Sequence, residues 1–109
     1  MHVIAMQNNS RFIIDLDIDF NIPGIAVGFK RRSNGIRPGG ATRIPIPDQA
    51  INVSVRVEQQ TAIPTEEYVL FQQRFSLFHQ VLKQGIFFVV KNPTPKSGTK
   101  FASVFWIIR

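Results

Sequence analysis

Five cations fall within the fourteen residues 30–43: Lys30, Arg31, Arg32, Arg37 and Arg43, with no acid among them and glycines at positions 35, 39 and 40. Arginine forks grip phosphate oxygens in pairs, and glycines let a backbone approach a phosphate closely. The Gly-Lys-Ser/Thr ending of a phosphate-binding loop is absent. The chemistry these residues suggest is a basic, glycine-rich hairpin lying along a nucleic-acid backbone, DNA or RNA, single strands included. Lys96 and Lys100, in a second loop, extend that surface if the fold brings the two loops together. Such binding is largely independent of sequence and steeply dependent on salt. The competing readings are a solvated loop and an arm that docks on an acidic protein.

A second group is acidic. Asp15, Asp17 and Asp19 alternate along one segment, and alternate strand residues share a face about 6.5–7 Å apart. Asp15 and Asp17 could chelate Mg²⁺ for phosphoryl transfer. A third carboxylate is usually wanted, and Asp48, Glu58, Glu66 and Glu67 show no matching pattern. A solvated acidic stripe facing basic residues on the next strand explains the three without a metal. The two histidines, His2 and His79, have no Gly-x-Ser-x-Gly elbow beside them. The expectation is therefore a protein without catalytic residues, without a cofactor and without a small-molecule substrate.

The 109 residues suit one domain, 1–109. A hydrophobic fraction of 44% supports a packed core, and ten Phe against one Trp and one Tyr supply much of it. The net charge of +6 favours a polyanionic partner. With no cysteine, disulfide frameworks and thiolate chemistry are excluded. The segment from Met1 to Asn8 lacks the charged start of a signal peptide. Apolar runs fall far short of the roughly 20 residues a helical membrane span needs. The expected location is cytoplasmic or a virion.

These residues need elements to position them. His2 to Met6 reads as a short strand, and Gln7-Asn8-Asn9-Ser10 as a polar turn. Arg11 to Phe20 alternates, with Phe12, Ile14, Leu16, Ile18 and Phe20 on one face and the three aspartates on the other. Pro23-Gly24 suits a type II turn, leading to a strand from Ile25 to Arg32. Pairing Phe20 with Ile25 keeps one face apolar, sets Leu16 against Phe29, and sets Asp15 against Lys30. Ala41 to Ile46 is extended and, with Pro45, belongs at an edge. Ala50 to Glu58 alternates again.

From Thr65 to Gln84 the pattern predicts one long amphipathic helix. Thr65 caps it, Glu66 and Glu67 complement the dipole, and Gly85 stops it. Phe71, Phe75, Phe78 and Leu82 recur at helical spacing, Tyr68 widens one flank, and Leu70, Leu77 and Val81 widen the other. Arg74 falls inside this broad arc. An arc too wide for one sheet face, holding a cation, predicts a homo-oligomer interface of Leu70, Arg74, Leu77 and Val81. The segments 86–91 and 101–108 are apolar on both faces and form a C-terminal hairpin covered on both sides.

The fold class expected is α+β: an antiparallel sheet of about five to six strands with the helix packed on it. The function expected is a non-enzymatic nucleic-acid-binding protein. The alternative is a structural or assembly subunit of a virion, a tail or a secretion apparatus.

Overall fold

A computed structural model of the chain describes residues 2–63, 66–75, 85–94 and 100–108. Apolar and polar residues alternate along most of them, and eight strands follow: β1 (His2–Asn9), β2 (Ile14–Asn21), β3 (Phe29–Ile36), β4 (Ala41–Ile46), β5 (Ile51–Gln60), β6 (Glu67–Phe75), β7 (Gly85–Lys91) and β8 (Ser103–Ile108). Two four-stranded sheets result, in the orders β4-β1-β7-β8 and β3-β2-β5-β6. Every neighbouring pair is antiparallel except β1 with β7. The architecture is all-β, and among the described residues there is no helix.

The sheets pack face to face. Ile4, Met6, Ile44, Ile46, Ile86, Phe88 and Val90 from one meet Ile14, Leu16, Ile18, Phe20, Val53, Val55 and Val57 from the other, all buried. Each such side chain contributes about 1.5–3 kcal/mol relative to exposure. Near the edge strands β6 and β8 aromatic rings bridge the layers. Phe71 on β6 meets Phe88 at 5.2 Å and Trp106 at 6.0 Å, and Phe75 meets Trp106 edge-on at 5.5 Å.

The helix expected over 65–84 is the main correction. Its first half is the strand β6, paired with β5 from Gln60–Glu67 to Val53–Phe75. Phe78, Leu82, Leu77 and Val81 lie outside the described residues. Phe71 and Phe75 do point into the core, but as alternate strand positions and not as successive helical turns. Gly85 is no helix stop either. It opens β7 at φ +147°, and a β-carbon there would run into the carbonyl of Val3 on β1.

The β2–β3 register also differs from expectation. Phe20 faces Phe29, not Ile25, so Asp19 meets Lys30 and Asp17 meets Arg32. The turn at Pro23-Gly24 forms, with Ile25 N–H donating to the Ile22 carbonyl at 3.0 Å and Gly24 at φ +83°. It lies inside a longer loop, 22–28, and does not close the hairpin. The displacement is four residues, an even number, so the β2 side chains and Phe29 keep their expected face, while Ile25 and Val27, expected on that face, lie exposed in the loop. β4 sits at a sheet edge with Pro45 in it. β8 is an edge as well, and Phe105 and Ile107 are exposed where a covering layer was expected.

Candidate functional site

At one end of the sandwich β1, β3, β5 and β7 finish while β2, β4, β6 and β8 begin, so residues 10–13, 37–40, 61–63 with 66, and 92–94 with 100–102 lie there. Asn8 ties three of the surrounding segments together from a fully buried position. Its Nδ2 donates to the carbonyls of Phe12 at 2.8 Å and Ile36 at 2.9 Å, while its Oδ1 accepts from Ser10 N–H at 3.0 Å and Ser10 Oγ at 2.6 Å. Its backbone pairs with Gly39 and Gly40. Gln60 N–H donates to the Ile13 carbonyl at 2.9 Å, and Arg11 N–H donates to Asn92 Oδ1 at 2.7 Å. On the far side Ala102 N–H donates to the buried Gln59 Oε1 at 2.9 Å, and the Tyr68 and Phe101 rings stack 3.6 Å apart. Thr61 Oγ1 lies 3.0 Å from the Glu66 carbonyl and closes the 61–66 loop at its base.

The loops therefore form a fixed platform. It presents the exposed apolar side chains Ile13, Ile63 (52% exposed), Tyr68 and Val69 beside the exposed cations Arg11, Arg37 and Lys100. Its central residues escaped sequence reasoning. Asn8 read as a turn residue, and Ile13 and Ile63 are single apolar residues whose neighbours come from other loops. Among the described residues the opposite end carries the loop 22–28, with Ile25 and Val27 exposed.

The seven cations singled out in the sequence do not form one surface. Arg37 and Lys100 lie at the same end of the sandwich but at opposite edges of the sheets, and Lys96 lies outside the described residues. Lys30, second in β3 near the other end, pairs with Asp19 at 3.8 Å; Arg32 Nε donates to Asp17 Oδ1 at 2.6 Å, which holds its guanidinium charged. Arg31 stands over the Phe20 ring, and Arg43 lies on the other sheet opposite Ala5. Of the predicted oligomer face, Leu70 is half-buried against the core, and Arg74 is exposed opposite Ser54. The inward cation that suggested a second chain does not exist.

Three carboxylates gather on the outer face of the β3-β2-β5-β6 sheet. Asp15 and Glu58 are cross-strand partners, and Glu67 lies opposite Gln60 on the next strand. Asp15 Oδ1 also accepts from Gly35 N–H at 2.7 Å and Gln60 Nε2 at 3.1 Å. Hydrogen bonding with Asp15, then with Glu58, followed by desolvation and like charge, pushes the Glu67 carboxyl up to about 8. As a magnesium pair Asp15 and Asp17 are both engaged by protein donors, and among the described residues no group of three His, Cys, Asp or Glu is arranged to hold a metal ion.

The class this fold defines is a β-sandwich of two four-stranded sheets. The chain is similar to the membrane-binding domain of pneumolysin, with a TM-score of 0.70 and 14% identity over 99% of this chain and 96% of that one. It is similar also to suilysin, a cytotoxin from Streptococcus suis (TM-score 0.66, 13% identity), and to intermedilysin solved with human CD59 (TM-score 0.64, 12% identity). Of those longer chains it spans 23% and 24%. No family model matches the chain, and no curated protein matches it. These likenesses overturn the nucleic-acid reading and its viral or assembly alternative. The cytoplasmic or virion location falls with them.

Proposed function

We propose that the chain is a non-catalytic membrane-binding module that docks through the loop platform. The observation that carries the reading is the convergence of Ile13, Ile63, Tyr68 and Val69 with Arg11, Arg37 and Lys100 on one hydrogen-bonded end. The fold shared with pneumolysin's membrane-binding domain supports it.

The physics of a bilayer surface matches this composition. Short apolar side chains enter the boundary between headgroups and acyl chains, tyrosine sits at the headgroup level, and cations meet anionic headgroups. A platform locked by Asn8 loses little conformational freedom on docking. Two isoleucines at about 2 kcal/mol each and cations at about 1 kcal/mol each on anionic lipid give reversible attachment, on the order of ten micromolar.

Flotation with lipid vesicles tests the proposal. The protein is expected to float with them, more completely on anionic lipid and less so as salt rises. Protein that stays at the bottom of the gradient on neutral and anionic vesicles alike overturns the proposal.

A further inference from the structure

Each sheet ends in two edge strands, β4 and β8 in one and β3 and β6 in the other. An open edge is a template for a further strand, and proteins blunt it with charges, prolines or bulges. β3 is blunted by Lys30, Arg31 and Arg32, and β4 by Arg43 and Pro45. β6 carries Glu67 and Arg74 and a bulge near Leu70. β8 has none of these devices. It runs from Ser103 through Val104, Phe105, Trp106 and Ile107 to Ile108 and pairs with β7 without a register shift. Among the described residues no other strand pairs with it. Phe105 and Ile107 stand 55% and 52% exposed on its outer face.

The charges around β8 define the strand it fits. All seven acids fall within residues 15–67, and none of them lies on β1, β4, β7 or β8. Lys91, the last residue of β7, is exposed and stands opposite Ser103. Its side chain leans across β8, with Nζ 5.1 Å from the centre of the Phe105 ring. Among the described residues Lys91 has no ion-pair partner.

We infer that β8 is a docking edge for an extended apolar segment of another polypeptide that ends in a carboxylate. The segment adds a fifth strand antiparallel to β8, with alternate side chains beside Phe105 and Ile107 and its acidic C-terminal end at Ser103. Main-chain hydrogen bonds supply affinity and the side chains supply selection. Strands lie about 4.8 Å apart, which puts the new strand about 10 Å from β7, and Lys91 already leans that way. A second copy of β8 fits less well, because residues 68–109 contain no acid to offer Lys91. The edge runs along the side of the sandwich, so this inference stands apart from the membrane reading.

The test uses a fluorescent seven-residue peptide of alternating valine and threonine that ends in glutamate. Its far-edge amides are N-methylated so that it pairs along one edge only. A second peptide ends in lysine. Anisotropy measures binding to the whole chain, and hydrogen exchange locates it. The glutamate peptide is expected to slow exchange of residues 103–108 roughly threefold or more and to leave β3, β4 and β6 unchanged. The lysine peptide is expected to bind roughly two- to fivefold more weakly, and Lys91→Glu to reverse that order. Ile107→Lys blunts the edge and is expected to abolish binding of both, with exchange in β1 and β5 unchanged as the sign that it folds. No protection of 103–108 at about 1 mM peptide overturns the proposal, as does protection of another edge instead. Equal binding of the two peptides to wild type and to Lys91→Glu overturns it too. Protection of 103–108 that grows with protein concentration alone assigns the edge to a second copy and overturns the proposal.

Discussion

Asp15 and Glu58 stand opposite each other on β2 and β5, two nearly buried carboxylates, and their influence raises the Glu67 carboxyl at the start of β6. This arrangement gives stability an unusual pH dependence. A carboxyl whose folded pKa is raised binds its proton more tightly when folded. The Glu67 contribution is therefore fully present below its unfolded value of 4.5 and is lost as pH climbs through about 8. Urea midpoints measured from pH 5 to pH 9 are expected to fall with rising pH, and Glu67→Gln is expected to flatten that slope. A wild-type midpoint that rises over the same range contradicts the assignment.

Asn8→Ala removes two donors from the Phe12 and Ile36 carbonyls and one acceptor from Ser10, all in a closed site. Orphaned buried polar groups cost about 1–3 kcal/mol. Chemical denaturation is expected to show a loss of this size, and loops 10–13 and 37–40 should exchange amide protons faster. A change below about 0.5 kcal/mol, the range of ordinary surface substitutions, would remove Asn8 as the anchor of the platform.

Gly85→Ala tests the close approach of β7 to β1. The backbone there has positive φ, and the added carbon collides with the Val3 carbonyl. The expected cost is roughly 1–3 kcal/mol in a denaturant titration, from backbone strain alone. Gly28→Ala is the control. Its new carbon would make only an ordinary contact, 3.6 Å from Asn21 Nδ2, and stability should stay within about 0.5 kcal/mol.

The N-terminal half was largely legible because its alternation has period two and nothing else. Leu16, Ile18 and Phe20 point inward as read, and even the misplaced β2–β3 register kept them there. Residues 67–75 misled for a definite reason. Phe71 and Phe75 are four apart, a spacing that returns to the same face in a helix and in a strand alike. A β-bulge near Leu70 further breaks the alternation that would have exposed β6 as a strand. The acids at Glu66 and Glu67 looked like helix-start charges, while Glu67 in fact belongs with Asp15 and Glu58. Gly85 looked like a helix stop, and its partner Val3 lies too far off in sequence to be seen. The platform was illegible for a similar reason. Ile13, Ile63, Arg37 and Lys100 belong to four connections, and only the strand order brings those to one end.

Membrane contact through this end, and not through loop 22–28, is the central claim, and the absence of cysteine makes a direct measurement possible. Ile63→Cys and Val27→Cys place one thiol at each end of the sandwich, both at exposed positions, and each can carry an environment-sensitive fluorophore. On adding anionic vesicles, the label at position 63 is expected to shift to the blue and become accessible to a quencher within the acyl chains, while the label at position 27 keeps its aqueous spectrum. A blue shift at position 27 with none at position 63 contradicts the account, as does an aqueous spectrum at both.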